Sequence, residues 1–274
     1  MTNQELLKRP EMFADRKETN YSEQELAKMI NQESVLVIGK VFDWDNERRG
    51  LRVTFGKGLI GFIPEDEITI MNMRFQSDYI MPREAFFLIE KTIIAEVTDY
   101  DCYRREFKLS RKKSMKKAIY SLKVGDIVEA SIKAINEDAM IVDVGAGNIA
   151  WMSWRDFSKV PFKFINQTGF EIGDWIKVAI DEMNDYKIQV SRKKAYRSYQ
   201  EAKETYKQDE EISAMITSYR RSSDHECYKY SYLVEIEPNV PGILDTHERL
   251  AIGKFADLRI LSIKDKGFKL RLSK

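Results

Sequence analysis

FKLS, residues 107–110, alternates apolar and polar side chains and closes on a serine, and it returns as IQVS at 188–191 and LRLS at 270–273. The closing serines, Ser110, Ser191 and Ser273, fall 81 and 82 residues apart, an evenness that chance seldom produces. The first two copies run on into Arg-Lys-Lys, Arg111 to Lys113 and Arg192 to Lys194, and the third into Lys274. A period of two is the signature of a strand with one face buried. The chain therefore reads as three copies of one domain-sized unit, each ending in the same strand.

Ahead of each ending stands the same order of features. The opening runs SVLVIGKVF (34–42), DIVEASIKAI (126–135) and ISAMITSY (212–219) are rich in β-branched residues and predict strands. LRVTFGKGLIGFIP (51–64), AMIVDVGAGNIAWMSW (139–154) and YKYSYLVEIEPNVPGIL (228–244) each read as a strand, a tight Gly-, Asn- or Pro-bearing turn and a return strand. TIIAEV (92–97), WIKVAI (175–180) and ADLRILSI (256–263) supply the fourth strands. Five short strands in a unit of roughly 70–80 residues suit a small closed barrel, which leaves no edge exposed. Between the units the period becomes helical: Met115, Ala118, Ile119 and Leu122 in one connector, and Tyr199 and Tyr206 a heptad apart in the other. Capping-box pairs Thr2 with Glu5 and Ser22 with Glu25 predict a helical N-terminal segment packed on the first barrel.

Composition sets outer bounds. At 274 residues the chain suits about two domains or three small ones, and 32% charged residues predict a soluble, charge-rich protein. Lys plus Arg number 45 against 44 Asp plus Glu, so any nucleic-acid binding must rest on local patches rather than on a global field. The opening MTNQELLKRPEMFADRKETN has no signal-like apolar core and no long apolar window comes after it, so the expectation is a cytoplasmic protein with no membrane partner. Cys102 and Cys227 are too few for a disulfide framework and are expected as thiols.

No catalytic constellation is visible. GKG (56–58) and GAG (145–147) are hairpin turns without the helix and Lys-Ser/Thr of a phosphate loop, and no nucleophile stands with a base. His225, Cys227 and His247 fall short of a four-ligand zinc site. The expectation is a non-enzyme with no cofactor, no metal and no small-molecule substrate. Trp151 and Trp154 lie on opposite faces if one strand carries both, so at least one is expected in the core; Trp44 and Trp175 are expected as packing residues. In CYKYSYLVEI (227–236), Tyr228, Tyr230 and Tyr232 share one face with Val234 and Ile236. Shared parity argues for core, whereas three hydroxyls needing partners in a narrow barrel argue for an exposed stacking face. Lys264, Lys266, Lys269, Arg271 and Lys274 form a basic run on the last hairpin, either a contact for phosphates or a solvated face.

The sequence VGDIVEASIKAI (124–135), the strand with VDVG (142–145), and the closing hairpins VTDYDCYRREFKLSRKK (97–113) and DKGFKLRLS (265–273), together with GFIPEDEI (61–68) and VPGIL (240–244), resemble the S-one repeat. That repeat is the OB-fold RNA-binding module of the ribosomal protein that captures messenger RNA. The resemblance implies a mostly β chain of three tandem five-stranded OB-fold barrels. With the helical stretches read above, the boundaries are a helical segment 1–32, barrels at 33–113, 122–194 and 212–274, and helical connectors at 114–121 and 195–211. It implies RNA contacts at Tyr228, Lys229, Tyr230, Tyr232, Asp265, Lys269 and Arg271 in the third unit, at Arg52, Phe62, Asp101 and Arg105 in the first, and at Trp151 and Lys187 in the second. Met140 and Ser153 occupy the aromatic and histidine positions of the second unit. The function implied is non-catalytic binding of single-stranded RNA in translation or RNA handling, with the ribosome or another RNA-processing protein as a further partner. The rival expectation is a protein-interaction adaptor, degenerate OB-folds docking on a ribosome, polymerase or nuclease.

Overall fold

The computed structural model of the chain describes residues 3–11, 22–30, 34–70, 81–162, 165–184, 187–220 and 230–273. Three closed barrels account for most of them. The first is built from β1 (Val35–Asp45), β2 (Gly50–Phe55), β3 (Leu59–Pro64), β4 (Thr92–Asp101) and β5 (Glu106–Ser110). The second has β6 (Ile127–Ile135), β7 (Ala139–Asp143), β8 (Ile149–Ser153), β9 (Trp175–Asn184) and β10 (Lys187–Ser191). The third has β11 (Glu211–Arg220), β12 (Tyr230–Glu237), β13 (Val240–Thr246), β14 (Phe255–Ile263) and β15 (Phe268–Leu272). Each closes in the order first, second, third, fifth, fourth, with the third strand parallel to the fifth, which makes three OB-type barrels in tandem.

The recurring tetrapeptide now has a physical reading. Phe107 and Leu109, Ile188 and Val190, and Leu270 face their barrel interiors, while Lys108, Gln189 and Arg271 point out. The first two serines end their strands by capping the next turn: Ser110 Oγ accepts from Lys113 N at 3.0 Å to start the helix Arg111–Ser121, and Ser191 Oγ accepts from Lys194 N at 3.3 Å. A hydroxyl that satisfies an orphan N–H of the next turn is a strong stop signal for a strand. Glycine on the third strand leaves room for the leucine of the last one. A Cβ on Gly242 would stand 2.6 Å from Leu270 Cδ1, and one on Gly61 would collide with Leu109 in the same way. A β-bulge between Val41 and Asp43 in β1 recurs between Ile216 and Ser218 in β11, bending the long first strand around its barrel.

The described residues fall into two compact units. The first contains the N-terminal segment, the first barrel, the helix Arg111–Ser121, the turn 143–149, and Asn184 and Lys187. Leu26, on a helix with the Ser22–Glu25 capping box, is wholly buried in the barrel core, and Leu6 packs with Leu36, Ile38, Ile94 and Ala118. Thr2 lies outside the described residues. Glu11 is the hub of this unit. Its carboxylate accepts from Ile94 N at 3.0 Å and pairs with Arg111 Nη2 at 2.7 Å, while its own N–H donates to Asp143 Oδ2 at 2.7 Å. Arg111 Nη1 donates to the Ile68 carbonyl at 2.9 Å. Gly147, at φ 77°, must be glycine, because a Cβ there would collide with the Arg111 guanidinium and the Glu11 carboxylate.

The second unit holds the rest of the second barrel and the whole of the third. The hairpin tip between β12 and β13 is seated against the second barrel: Lys159 N donates to the Pro238 carbonyl at 2.7 Å, and Asn239 Nδ2 to the carbonyls of Lys193, Tyr196 and Arg197 at 2.8–3.1 Å. Arg192 reaches Glu235 at 2.7 Å with its guanidinium over the Phe157 and Phe170 rings at 4.5 and 5.1 Å. Arg111 and Arg192 hold the same place in the repeat, directly after the closing serine, and both are buried against a glutamate.

Three expectations need correction. The connector 195–211 is α-helical only over the seven residues Tyr199–Thr205, where Ser198 and Glu201 form a capping box; Tyr206 is already extended. Its heptad pair, Tyr199 and Tyr206, still packs edge-on against Phe268, at 5.9 and 5.5 Å. Trp151 and Trp154 are both exposed, at 42% and 45%, because β8 stops at Ser153, whose hydroxyl caps the short helix Trp154–Phe157 and takes Trp154 out of the strand alternation. Trp175, the first residue of β9, is 42% exposed rather than packed, since the inward alternation begins at Ile176. Trp44 is buried. Among the described residues no helix is long and apolar enough to cross a membrane.

Candidate nucleic-acid interface

Strand register in the third barrel sorts the tyrosine stretch. Tyr232 lies opposite Leu244, which lies opposite Leu270, and all three are buried, so this row is core. The next row, Leu233, Ile243 and Lys269, points outward. Tyr230 is half-buried on the inner side, its ring 6.3 Å from that of Tyr232 with 27° between the planes. Tyr228 and Lys229 lie outside the described residues, as do His225 and Cys227.

The outward row floors a groove of about 340 Å³ across β12, β13 and β15. Leu233, Pro241 and Ile243 make its bottom apolar, Lys264 and Lys266 overhang it from the β14–β15 hairpin, Lys269 stands on the last strand, and Arg220 closes the far end beside Asp245. None of the four cations pairs with a carboxylate among the described residues. Four positive groups facing one carboxylate over an apolar floor can hold an extended chain that carries regularly spaced anions and flat faces. The remaining predicted residues of this barrel lie outside that lining. Asp265 is ion-paired to Lys203 at 3.0 Å, and Arg271 is exposed one step along β15, opposite Arg259. Sequence patterning does not single out Arg220, Leu233, Ile243 or Asp245. The one signal it holds for them is the odd parity of Leu233 against the tyrosines.

The predicted residues of the other barrels are placed differently. Arg52 is ion-paired to Asp43 at 3.7 Å, opposite Phe62 in the β2–β3 ladder. Phe62 is buried beneath the Arg48 guanidinium at 4.1 Å, and Arg48 is itself held by Asp45 and Glu106. Asp101 caps its own hairpin, accepting from Tyr103 N and Arg104 N at 3.0 and 3.1 Å; the Arg104 backbone and side-chain hydrogen bonds hold its pKa below the usual carboxylate value. Arg105 sits in that turn at φ 54°, exposed. Lys108, the outward residue of FKLS, is tied to Asp99 at 2.8 Å, a hydrogen bond that lowers the pKa of Asp99 and raises that of Lys108. Trp151 is exposed on β8 opposite Gln189, and Lys187 is exposed at the start of β10.

No protein-family model and no curated protein matches the sequence. Among solved structures, a multidomain protein with nucleic-acid-binding domains from Streptococcus pneumoniae TIGR4 is similar over 87% of this chain and 73% of its own, at 16% identity and a TM-score of 0.31. The a/eIF2alpha-aDim2p-rRNA complex from Pyrococcus horikoshii OT3 is similar over 30% of this chain and 51% of its own, at 16% identity and a TM-score of 0.27. Drosophila Unr CSD456 is similar over 88% of this chain and 98% of its own, at 10% identity and a TM-score of 0.20.

Proposed function

We propose that this chain is a non-catalytic, cytoplasmic protein of the S-one-like kind that binds single-stranded RNA, acting in translation or RNA handling, with the groove of the third barrel as its main contact. The observation that carries the reading is the set of cations Arg220, Lys264, Lys266 and Lys269, none ion-paired among the described residues, around an apolar floor on an OB-type barrel, in a chain whose total charge is only +1. With so little global field, an unneutralised local cluster is where phosphates gain most, and a closed barrel offers a rigid face for a flexible strand. The repeat pattern that resembles S-one modules supports the same reading.

Fluorescence anisotropy of a labelled RNA of about 20 nucleotides, across a salt series, tests it. Each phosphate contact to a single strand adds about 0.7 to the slope of log K against log salt, so Lys264→Ala/Lys266→Ala/Lys269→Ala should flatten the slope by about 2 and weaken binding on the order of 10- to 100-fold. A wild type that does not bind, or a slope the triple variant leaves unchanged, overturns the reading.

The first barrel favours the second reading, docking on a protein. Its outer cations Arg52, Arg104 and Lys108 are each matched to an aspartate, and Phe86 and Phe87 are 64% and 56% exposed. Arg52→Ala/Lys108→Ala is accordingly expected to leave RNA affinity within about twofold of wild type in the same assay. A larger loss would return that barrel to the RNA path.

A further inference from the structure

We infer that the mouth of the third barrel is a base-binding pocket that takes one unstacked nucleobase from the strand lying in the groove, with Tyr219 as the stacking face and Arg249 facing the adjoining phosphate. The inference rests on the RNA reading of that groove. A second concavity, of about 660 Å³, opens at the end of the barrel between β11, β12 and the loop after β13. Tyr219, Tyr230 and Tyr232 line one side, and Arg249, Leu250 and Ile252 the other.

The three rings have different standing. Tyr232 is scaffold: it is 3% exposed, and its hydroxyl accepts from Leu250 N at 2.9 Å, which ties the loop carrying Arg249 to the barrel. Tyr230 lies against it. Tyr219 meets Tyr232 edge-on at 5.9 Å and 79°, yet remains 53% exposed, so a face of its ring is open to a ligand. The bulge between Ile216 and Ser218 creates this placement, since it sets Tyr219 opposite Tyr232 rather than one residue out of register. Arg249 is exposed and joins no ion pair among the described residues. An open aromatic face beside a guanidinium with no ion pair among the described residues suits a flat heterocycle carrying an anion, which describes a nucleotide.

Continuity with the groove selects RNA already bound there as the source. Arg220 and Ser231 are cross-strand partners and both line the groove; their chain neighbours Tyr219, Tyr230 and Tyr232 line the mouth. Because successive side chains alternate faces, Arg220 and Ser231 present the outer groove at the end of the ladder where Tyr219, Tyr230 and Tyr232 present the mouth, so the two sites meet at one end of the barrel. Stacking at the mouth would add to the phosphate contacts in the groove, where Leu233, Pro241 and Ile243 supply the apolar floor.

The test uses the full chain and a labelled oligouridylate of about 12 nucleotides, within the span one OB fold covers. A second set of oligomers carries a single abasic nucleotide moved along the strand. Tyr219→Ala is expected to weaken binding about tenfold with the salt slope unchanged, and Tyr219→Trp to hold wild-type affinity. An abasic nucleotide at one position should cost wild type the same factor and cost Tyr219→Ala nothing further. Tyr219 is half-exposed, so both variants should keep the wild-type melting temperature. If Tyr219→Ala binds every oligomer like wild type while the triple lysine variant is impaired, the pocket is overturned and the groove stands. If wild type does not bind, or the lysine variant binds as wild type does, the groove reading falls and this inference with it.

Discussion

Arg192→Ala will lower the stability of the second unit by about 3–5 kcal/mol, the cost of stranding a buried carboxylate without its partner. Glu235 and Arg192 have 2% and 8% of their side chains exposed and meet at 2.7 Å. Removing the guanidinium leaves Glu235 either charged in an apolar setting or protonated, and both outcomes cost folding energy. The alanine also strips the cation from the rings of Phe157 and Phe170, a separate loss of packing and cation–π attraction. The double change Arg192→Met/Glu235→Leu removes both charges while keeping apolar volume, and should recover most of the loss. Urea unfolding followed by tryptophan fluorescence reads the difference. Amide exchange should localise the opening in 188–197 and 232–240, where the hairpin tip of the third barrel is seated. A single variant that loses less than about 1 kcal/mol would show that the pair is not a structural clamp.

This clamp marks the limit of what the sequence makes legible. The three barrels can be read because strand period, turn residues and capping serines are local, and the repeated order of FKLS, IQVS and LRLS multiplies a weak signal threefold. The Arg-Lys-Lys tracts after them can be seen but not interpreted. Their first arginine is buried by a glutamate 100 residues upstream in one case and 43 residues downstream in the other, and no local pattern announces such a partner. The tyrosine stretch is undecided in sequence for a similar reason. Parity places Tyr232 with Val234, but only register with Leu244 and Leu270 makes that parity the inside of a barrel. Tyr219 carries no sequence signal because a bulge sets its register, and nothing in ISAMITSY marks one. Trp154 misleads because Ser153 continues the alternation of β8 while its hydroxyl ends the strand.

Glu11→Ala is expected to cost the first unit a comparable 3–5 kcal/mol, again by leaving a buried charge unpaired. Here the stranded group is Arg111, with 8% of its side chain exposed. It would keep the Ile68 carbonyl and lose its carboxylate, while the backbone N–H of Ile94 in β4 would lose its acceptor. One side chain thus joins the N-terminal segment, a barrel strand and the helix Arg111–Ser121, and its backbone N–H holds the turn 143–149 through Asp143. Glu11→Gln separates charge from shape. The amide oxygen can still accept from Ile94 N and Arg111 Nε, but its NH2 would face the Arg111 Nη2 donor and the guanidinium loses its counter-charge, so the deficit should shrink without vanishing. Gly147→Ala should mimic the loss from the other side, pressing a methyl group onto the same pair at a backbone angle that disfavours alanine. Among the three variants, Glu11→Gln should keep the highest urea midpoint, with Glu11→Ala and Gly147→Ala below it and exchange opening at 3–11, 92–97 and 143–149. If Glu11→Ala opens only 3–11 and leaves the barrel midpoint unchanged, the segment is a detachable strap and Arg111 has another anchor.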